Sequence, residues 1–150
     1  MASLLIIAHA PLASALRDVA KHAFPDSAAS LFALDVPADM QPEDVLARGA
    51  SLLASSGQSE TLILTDVFGA TPCNVAQRLA DGASVKVVAG INVPMLWRAL
   101  CYASEPLDAL VARAMSGATQ GVLQASASRP QQQARGAGDA NVASHGQDQQ

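Results

Sequence analysis

Short, unbroken apolar runs alternate along the chain with longer segments in which apolar residues recur every three or four positions. "SLLIIA" (3–8) is apolar throughout after a polar start and stops at His9-Ala10-Pro11, as a strand covered on both faces would. "PLASALRDVAKHAF" (11–24) puts Leu12, Leu16, Val19 and Ala23 on one side, with Pro11 in the first turn, and predicts a helix. "SLFALDV" (30–36) predicts a second strand. "QPEDVLARGASLLASS" (41–56) predicts a second helix, acidic at its start, with Val45, Leu46, Leu52 and Leu53 facing inward. A third strand, "ETLILTD" (60–66), ends on Asp66. After the tight loop "VFGA", Thr71 reads as the N-cap of a helix, Pro72 as its first helical position and Gly82 as its exit. "SVKVVAG" (84–90) predicts the fourth strand, "INVPMLWRALCYAS" a helix opening near Pro94, and a last helix covers 106–118. Beyond residue 125 large apolar side chains almost vanish. Residues 126–150, rich in Gln, Ala and Gly, are expected to form a disordered tail behind a single domain over 1–125, with His145 a passive part of it.

Strands and helices alternating through short connections predict an α/β fold, a doubly wound parallel sheet with helices on both faces. Such sheets collect ligands beyond the carboxyl ends of their strands, where strand order reverses. His9 ends the first strand and Asp66 the third. In the order 2-1-3-4 those strands are neighbours, and two side chains far apart in sequence meet at one point.

Composition narrows the choice of chemistry. Half of the 150 residues are apolar but only 3% are aromatic, so the core is built from Ala, Val, Leu and Ile, which suits a helix-covered sheet. The formal net charge is -4 and no basic cluster occurs, which excludes a nucleic-acid surface. Cys73 and Cys101 lack metal-ligand spacing and follow no secretory signal, so reduced thiols in the cytoplasm are expected. The opening apolar run is too short to span a bilayer, and no membrane insertion is expected. Without a phosphate-binding lysine loop or an acidic metal cluster, no nucleotide, metal or other cofactor is expected. Any phosphoryl group would come from another protein.

An imidazole is a competent nucleophile toward phosphorus through one nitrogen while the other carries the proton. Asp66 accepting that proton's hydrogen bond would fix the tautomer, leaving Nε2 to attack, and would stabilise charge developing on the ring. Held against the phosphoryl oxygens instead, the same carboxylate would repel them and keep the group transferable; the sequence is compatible with both roles. Backbone N–H donors for the phosphoryl would come from Phe68, Gly69, Ala70 and Thr71 at the start of the third helix, with the Thr71 hydroxyl a further donor. His22 reads as solvated, Cys73 as a packing residue, and Trp97 and Met95 as parts of a core or subunit contact, with Met95 near the mouth of the site.

"LLIIAHA", "LTDVFGATPCNVA" and "VVAGINVPML", in that order and at these separations, resemble the enzyme IIA component of the mannose family of the sugar phosphotransferase system over residues 2–123. The resemblance implies a phosphocarrier: His9 takes a phosphoryl group from phospho-HPr and passes it to a IIB partner. It places Asp66 at the active-site aspartate and Phe68, Gly69, Ala70 and Thr71 on the loop around the phosphoryl. Asn92, Pro94 and the adjoining Met95 fall on the rim. It also implies a homodimer that exchanges a C-terminal strand, for which "TQGVLQA" (119–125) is the candidate. Ala10-Pro11 stands where glycine commonly follows the histidine. Ala70 replaces a loop glycine and brings into question any positive φ there. No IIB domain is expected within the tail, so the acceptor would be a separate protein. Two other readings share the fold: a regulatory module that binds according to its phosphorylation state, and a phosphoryl donor to dihydroxyacetone kinase.

Overall fold

The molecule is built outward from β1 (Ser3–His9), whose Leu4, Leu5, Ile6, Ile7 and Ala8 are all buried. The computed structural model describes residues 1–127. β1 pairs in parallel with β2 (Leu31–Val36) on one side and β3 (Thr61–Thr65) on the other, and β4 (Val85–Ala89) pairs with the far side of β3. The order is therefore β2-β1-β3-β4, as the sequence predicts. Registers Ile7↔Thr65 and Thr65↔Ala89 bring the carboxyl ends of β1, β3 and β4 level.

Alternate β1 residues feed two cores, because successive side chains on a strand point to opposite faces. Leu4, Ile6 and Ala8 pack with α1 (Leu12–Ala23), α4 (Val93–Cys101) and α5 (Leu107–Gln120). Leu5 and Ile7 pack with α2 (Pro42–Ser55) and α3 (Thr71–Leu79) on the other face. Burying each Leu or Ile side chain stabilises the fold by about 1.5–3 kcal/mol. A short 3-10 turn at Ser27–Ser30, which the apolar pattern does not signal, leads into β2.

Three expectations are corrected. The buried stripe of α1 is Ala13, Leu16 and Ala20, whereas Leu12 and Val19 are exposed. Small side chains let α1 lie close on the sheet, so the helix is rolled away from the face its larger residues suggest. Thr71 is the first helical residue of α3 and not its cap; Ala70 holds the cap position and no side chain caps this end. The candidate for the exchanged strand, 119–125, starts too early. Thr119 and Gln120 close α5, whose buried series Leu107, Leu110, Ala114 and Gly117 keeps helical spacing to its last turn, and residues 121–127 form no strand. All but residues 126 and 127 of the expected tail, including His145, lie outside the described residues.

Candidate functional site

Two strand ends meet at the carboxyl edge of the sheet. His9 is the last residue of β1 and Asp66 directly follows β3, and the β1–β3 pairing brings them into contact. Asp66 Oδ2 accepts the His9 backbone N–H at 2.9 Å and lies 2.6 Å from His9 Nδ1. Asp66 Oδ1 accepts the Val67 N–H at 2.8 Å. An ionised carboxylate only accepts, so this contact needs the proton on Nδ1, and in the neutral ring it leaves Nε2 with a free lone pair. Burial pushes the Asp66 carboxyl up, but the hydrogen bonds from His9 and Val67 outweigh it and hold its pKa below the ordinary value. Of the two roles open to Asp66 on the sequence, this contact is the one that fixes the tautomer. The His9 side chain is 52% exposed and that of Asp66 only 14%, so a fixed carboxylate supports an open ring.

The connection from Asp66 to α3 is tightly formed. Gly69 has φ +90°, a conformation costly for any residue with a Cβ, and the space beside it is open. Ala70, by contrast, is extended at φ −86°, so the positive φ falls on the glycine and the alanine is unstrained. Asn74 ties the loop down: its Nδ2 donates to Gly69 O at 3.2 Å and its backbone N–H to Ala70 O at 2.9 Å. Among the described residues, the N–H groups of Phe68, Gly69 and Thr71 have no acceptor, and they sit at the positive end of α3. On the other side, Gly90 N–H donates to Thr65 O at 3.0 Å and Asp66 O at 2.9 Å, pinning the backbone of Asp66 from β4.

A second helix, α1, also starts here, but its first turn is occupied. Pro11 stands at its cap position and offers no side-chain hydrogen bond. Asp35 of β2 reaches across instead, accepting the Ser14 N–H at 3.0 Å and the Ser14 hydroxyl at 2.5 Å. A negative charge thus already sits on the α1 amino end, while the α3 end is uncapped.

The predicted rim residues follow Gly90 and make contacts of their own. Asn92 caps α4, its Oδ1 accepting the Met95 N–H at 2.8 Å, and its Nδ2 donates to Ala118 O at 3.2 Å in α5. Pro94 lines a cavity of about 540 Å³ with Phe24, Trp97 and Gly121, and Met95 is buried in the core. A smaller cavity of about 370 Å³ touches Phe68 and Cys73. His9 and Asp66 line neither. Instead Leu12, Val67 and Phe68 stand exposed beside them in sequence, giving His9 apolar neighbours on both of its flanking segments. Sequence reasoning missed Asn74, Asp35 and Ser14. Asp35 is the penultimate residue of β2, the strand on the other side of β1, one position short of the strand end where a site residue is sought.

Residues 3–115 match the family model described as the PTS system fructose IIA component. The chain belongs to this family. The expectation of a IIA component of the mannose type is met, and this IIA chain is a component of the sugar phosphotransferase system. No curated protein matches its sequence. Among solved structures it is similar to the mannose/sorbose specific IIA subunit of the phosphotransferase system from Enterococcus faecalis. That likeness is at 25% identity and TM-score 0.77, covering 85% of this chain and 97% of that one. Phosphotransferase system component EIIA from Streptococcus agalactiae shares the fold at 24% identity and TM-score 0.75, over 83% of this chain and 97% of that one. A sigma-54 interaction domain protein from Enterococcus faecalis also shares it, at 16% identity and TM-score 0.67, over 80% of this chain and 92% of that one. Among the described residues, no helix of the IIA chain is long and apolar enough to cross a membrane.

Proposed function

We propose that the chain is a cytoplasmic phosphocarrier that accepts a phosphoryl group on His9 Nε2 from phospho-HPr and passes it to a separate IIB-type protein. The observation that carries this reading is the bond from His9 Nδ1 to Asp66 Oδ2. It leaves one ring nitrogen nucleophilic on an open surface. In the forward step the Nε2 lone pair forms the new P–N bond as the P–N bond to the donor imidazole breaks, and that electron pair returns to the donor. Asp66 balances the positive charge that the attacked ring acquires, and the free N–H groups of Phe68, Gly69 and Thr71 take the phosphoryl oxygens. Transfer to the acceptor repeats the exchange in reverse. An exposed imidazole that lines neither of the two cavities described above, with Leu12, Val67 and Phe68 beside it, suits a protein donor and acceptor better than a small substrate.

Incubation with phosphoenolpyruvate, enzyme I and HPr is expected to give an acid-labile phosphoprotein carrying one label per chain. Labelling of a His9→Ala variant at the wild-type level would overturn the proposal. A second reading, a regulatory module sensing its own phosphorylation, draws on the fold shared with the sigma-54 interaction domain protein. The acceptor separates the two: transfer of label onward to a IIB protein supports the first, and phosphorylation-dependent capture of a regulator without onward transfer supports the second.

A further inference from the structure

The β2 end of the sheet holds the segment that carries His9, and no catalytic step uses those contacts. Val36 O accepts the Ala10 N–H at 3.0 Å, immediately after His9. Asp35 takes both the N–H and the hydroxyl of Ser14 in the first turn of α1. Two consecutive residues of one strand therefore hold this segment, Val36 at Ala10 within the His9–Leu12 connection and Asp35 at Ser14 just beyond it. Its own sequence supplies little to fix it: Pro11 has no N–H to donate, and neither its cap position nor an acidic residue in the first turn secures α1. His9, for its part, keeps its ring on Asp66 while half its side chain faces solvent.

We infer that Asp35, acting through Ser14, is a positioning residue that fixes the start of α1 and so keeps His9 Nδ1 on Asp66 and Nε2 free. It touches neither the ring nor any reacting atom. Its action passes through the backbone between Ser14 and His9: with the clamp released, α1 and the connection shift, and the short Nδ1 contact is the first to be lost. Misplacement of about 1 Å at a reacting group lowers rates by about 100-fold, so a small movement is enough. The inference rests on the phosphocarrier reading only for its effect on transfer; its effect on the imidazole is independent of any partner.

The test therefore reads the ring itself, by 15N NMR of unphosphorylated protein at a pH where His9 is neutral. In the wild type the Nδ1–H tautomer of His9 is expected to dominate. Asp35→Ala is expected to move the ring toward the mixture of a free imidazole and to slow labelling by phospho-HPr by about 10- to 100-fold. Ser14→Ala, which keeps the backbone bond and loses only the hydroxyl, gives a smaller change in the same direction and guards against failure of the first variant to fold. Ser14→Thr restores the wild-type tautomer. Folded Asp35→Ala and Ser14→Ala variants with the wild-type tautomer would overturn the positioning role. Wild-type protein that takes no label, but whose tautomer still follows Asp35, would sink the phosphocarrier reading and leave this one standing.

Discussion

Asp66 holds His9 by two bonds to one oxygen, at the backbone N–H and at Nδ1, and its other oxygen is held by Val67. Substituting Asp66→Asn keeps one accepting oxygen but removes the charge, and the amide can present a donor to Nδ1 and reverse the tautomer. Phosphoryl acceptance is expected to fall by on the order of 10²–10⁴-fold, read as the initial rate of labelling, with the fold unchanged by circular dichroism. The pH dependence follows from the sign of the Asp66 shift. Its folded pKa is depressed, so its contribution is complete above the ordinary carboxyl value of about 3.9 and is lost only as pH falls through the lower folded value. The Nδ1 contact, followed by NMR, should therefore persist through mildly acid solution. His9 and Asp66 were legible because each ends an apolar run whose place in the sheet can be argued from connectivity. Asp35 and Asn74 were not: Asp35 lies one residue short of its strand's end and meets Ser14 only through tertiary packing, and Asn74 acts through a bond to Gly69, five residues back, that no spacing rule signals. Met95 was open to two readings for a related reason: an apolar residue in a motif beside the site reads the same whether it faces the site or the core, and here it is buried in the core.

Helix orientation was less legible than helix existence. In α1 the large residues Leu12 and Val19 suggest a face that the structure turns outward, because Ala13 and Ala20 allow a closer approach to the sheet. Close approach also governs α4 against α5. A Cβ added at Gly117 would lie 2.7 Å from the Cβ of Arg98 and 3.2 Å from the Pro94 carbonyl oxygen, neither of which is a flexible tip. Gly117→Ala is therefore expected to destabilise the fold by about 1–3 kcal/mol, measured by urea unfolding. The strain would reach the site's surroundings, since α4 begins at Asn92, which bonds to Ala118 one residue beyond Gly117.

At the scale of the molecule, strand order was readable in advance because short connections and right-handed crossovers leave few arrangements of four parallel strands. The bounds of the C-terminal candidate strand were less legible, since a short apolar pair such as Val122-Leu123 has no periodicity to declare a partner. Both residues are exposed here, at 73% and 81%, and β4 is an edge strand with one side of its backbone open. These features support the homodimer that the family resemblance implies. Sedimentation equilibrium is expected to give twice the chain mass of 15.3 kDa, and a monomer at micromolar concentration would contradict it.

The centrality of β1 has a consequence for biosynthesis. Of the four strands of this sheet, the first to leave the ribosome is the one that must end up between two others, and Ser3 pairs with Thr61, 58 residues downstream. At about 5–20 residues per second, the nascent chain carries its stickiest segment without its second neighbour for about 3–12 s. Until β3 emerges, "SLLIIA" is thus the segment of this domain that a chaperone would have most reason to grip.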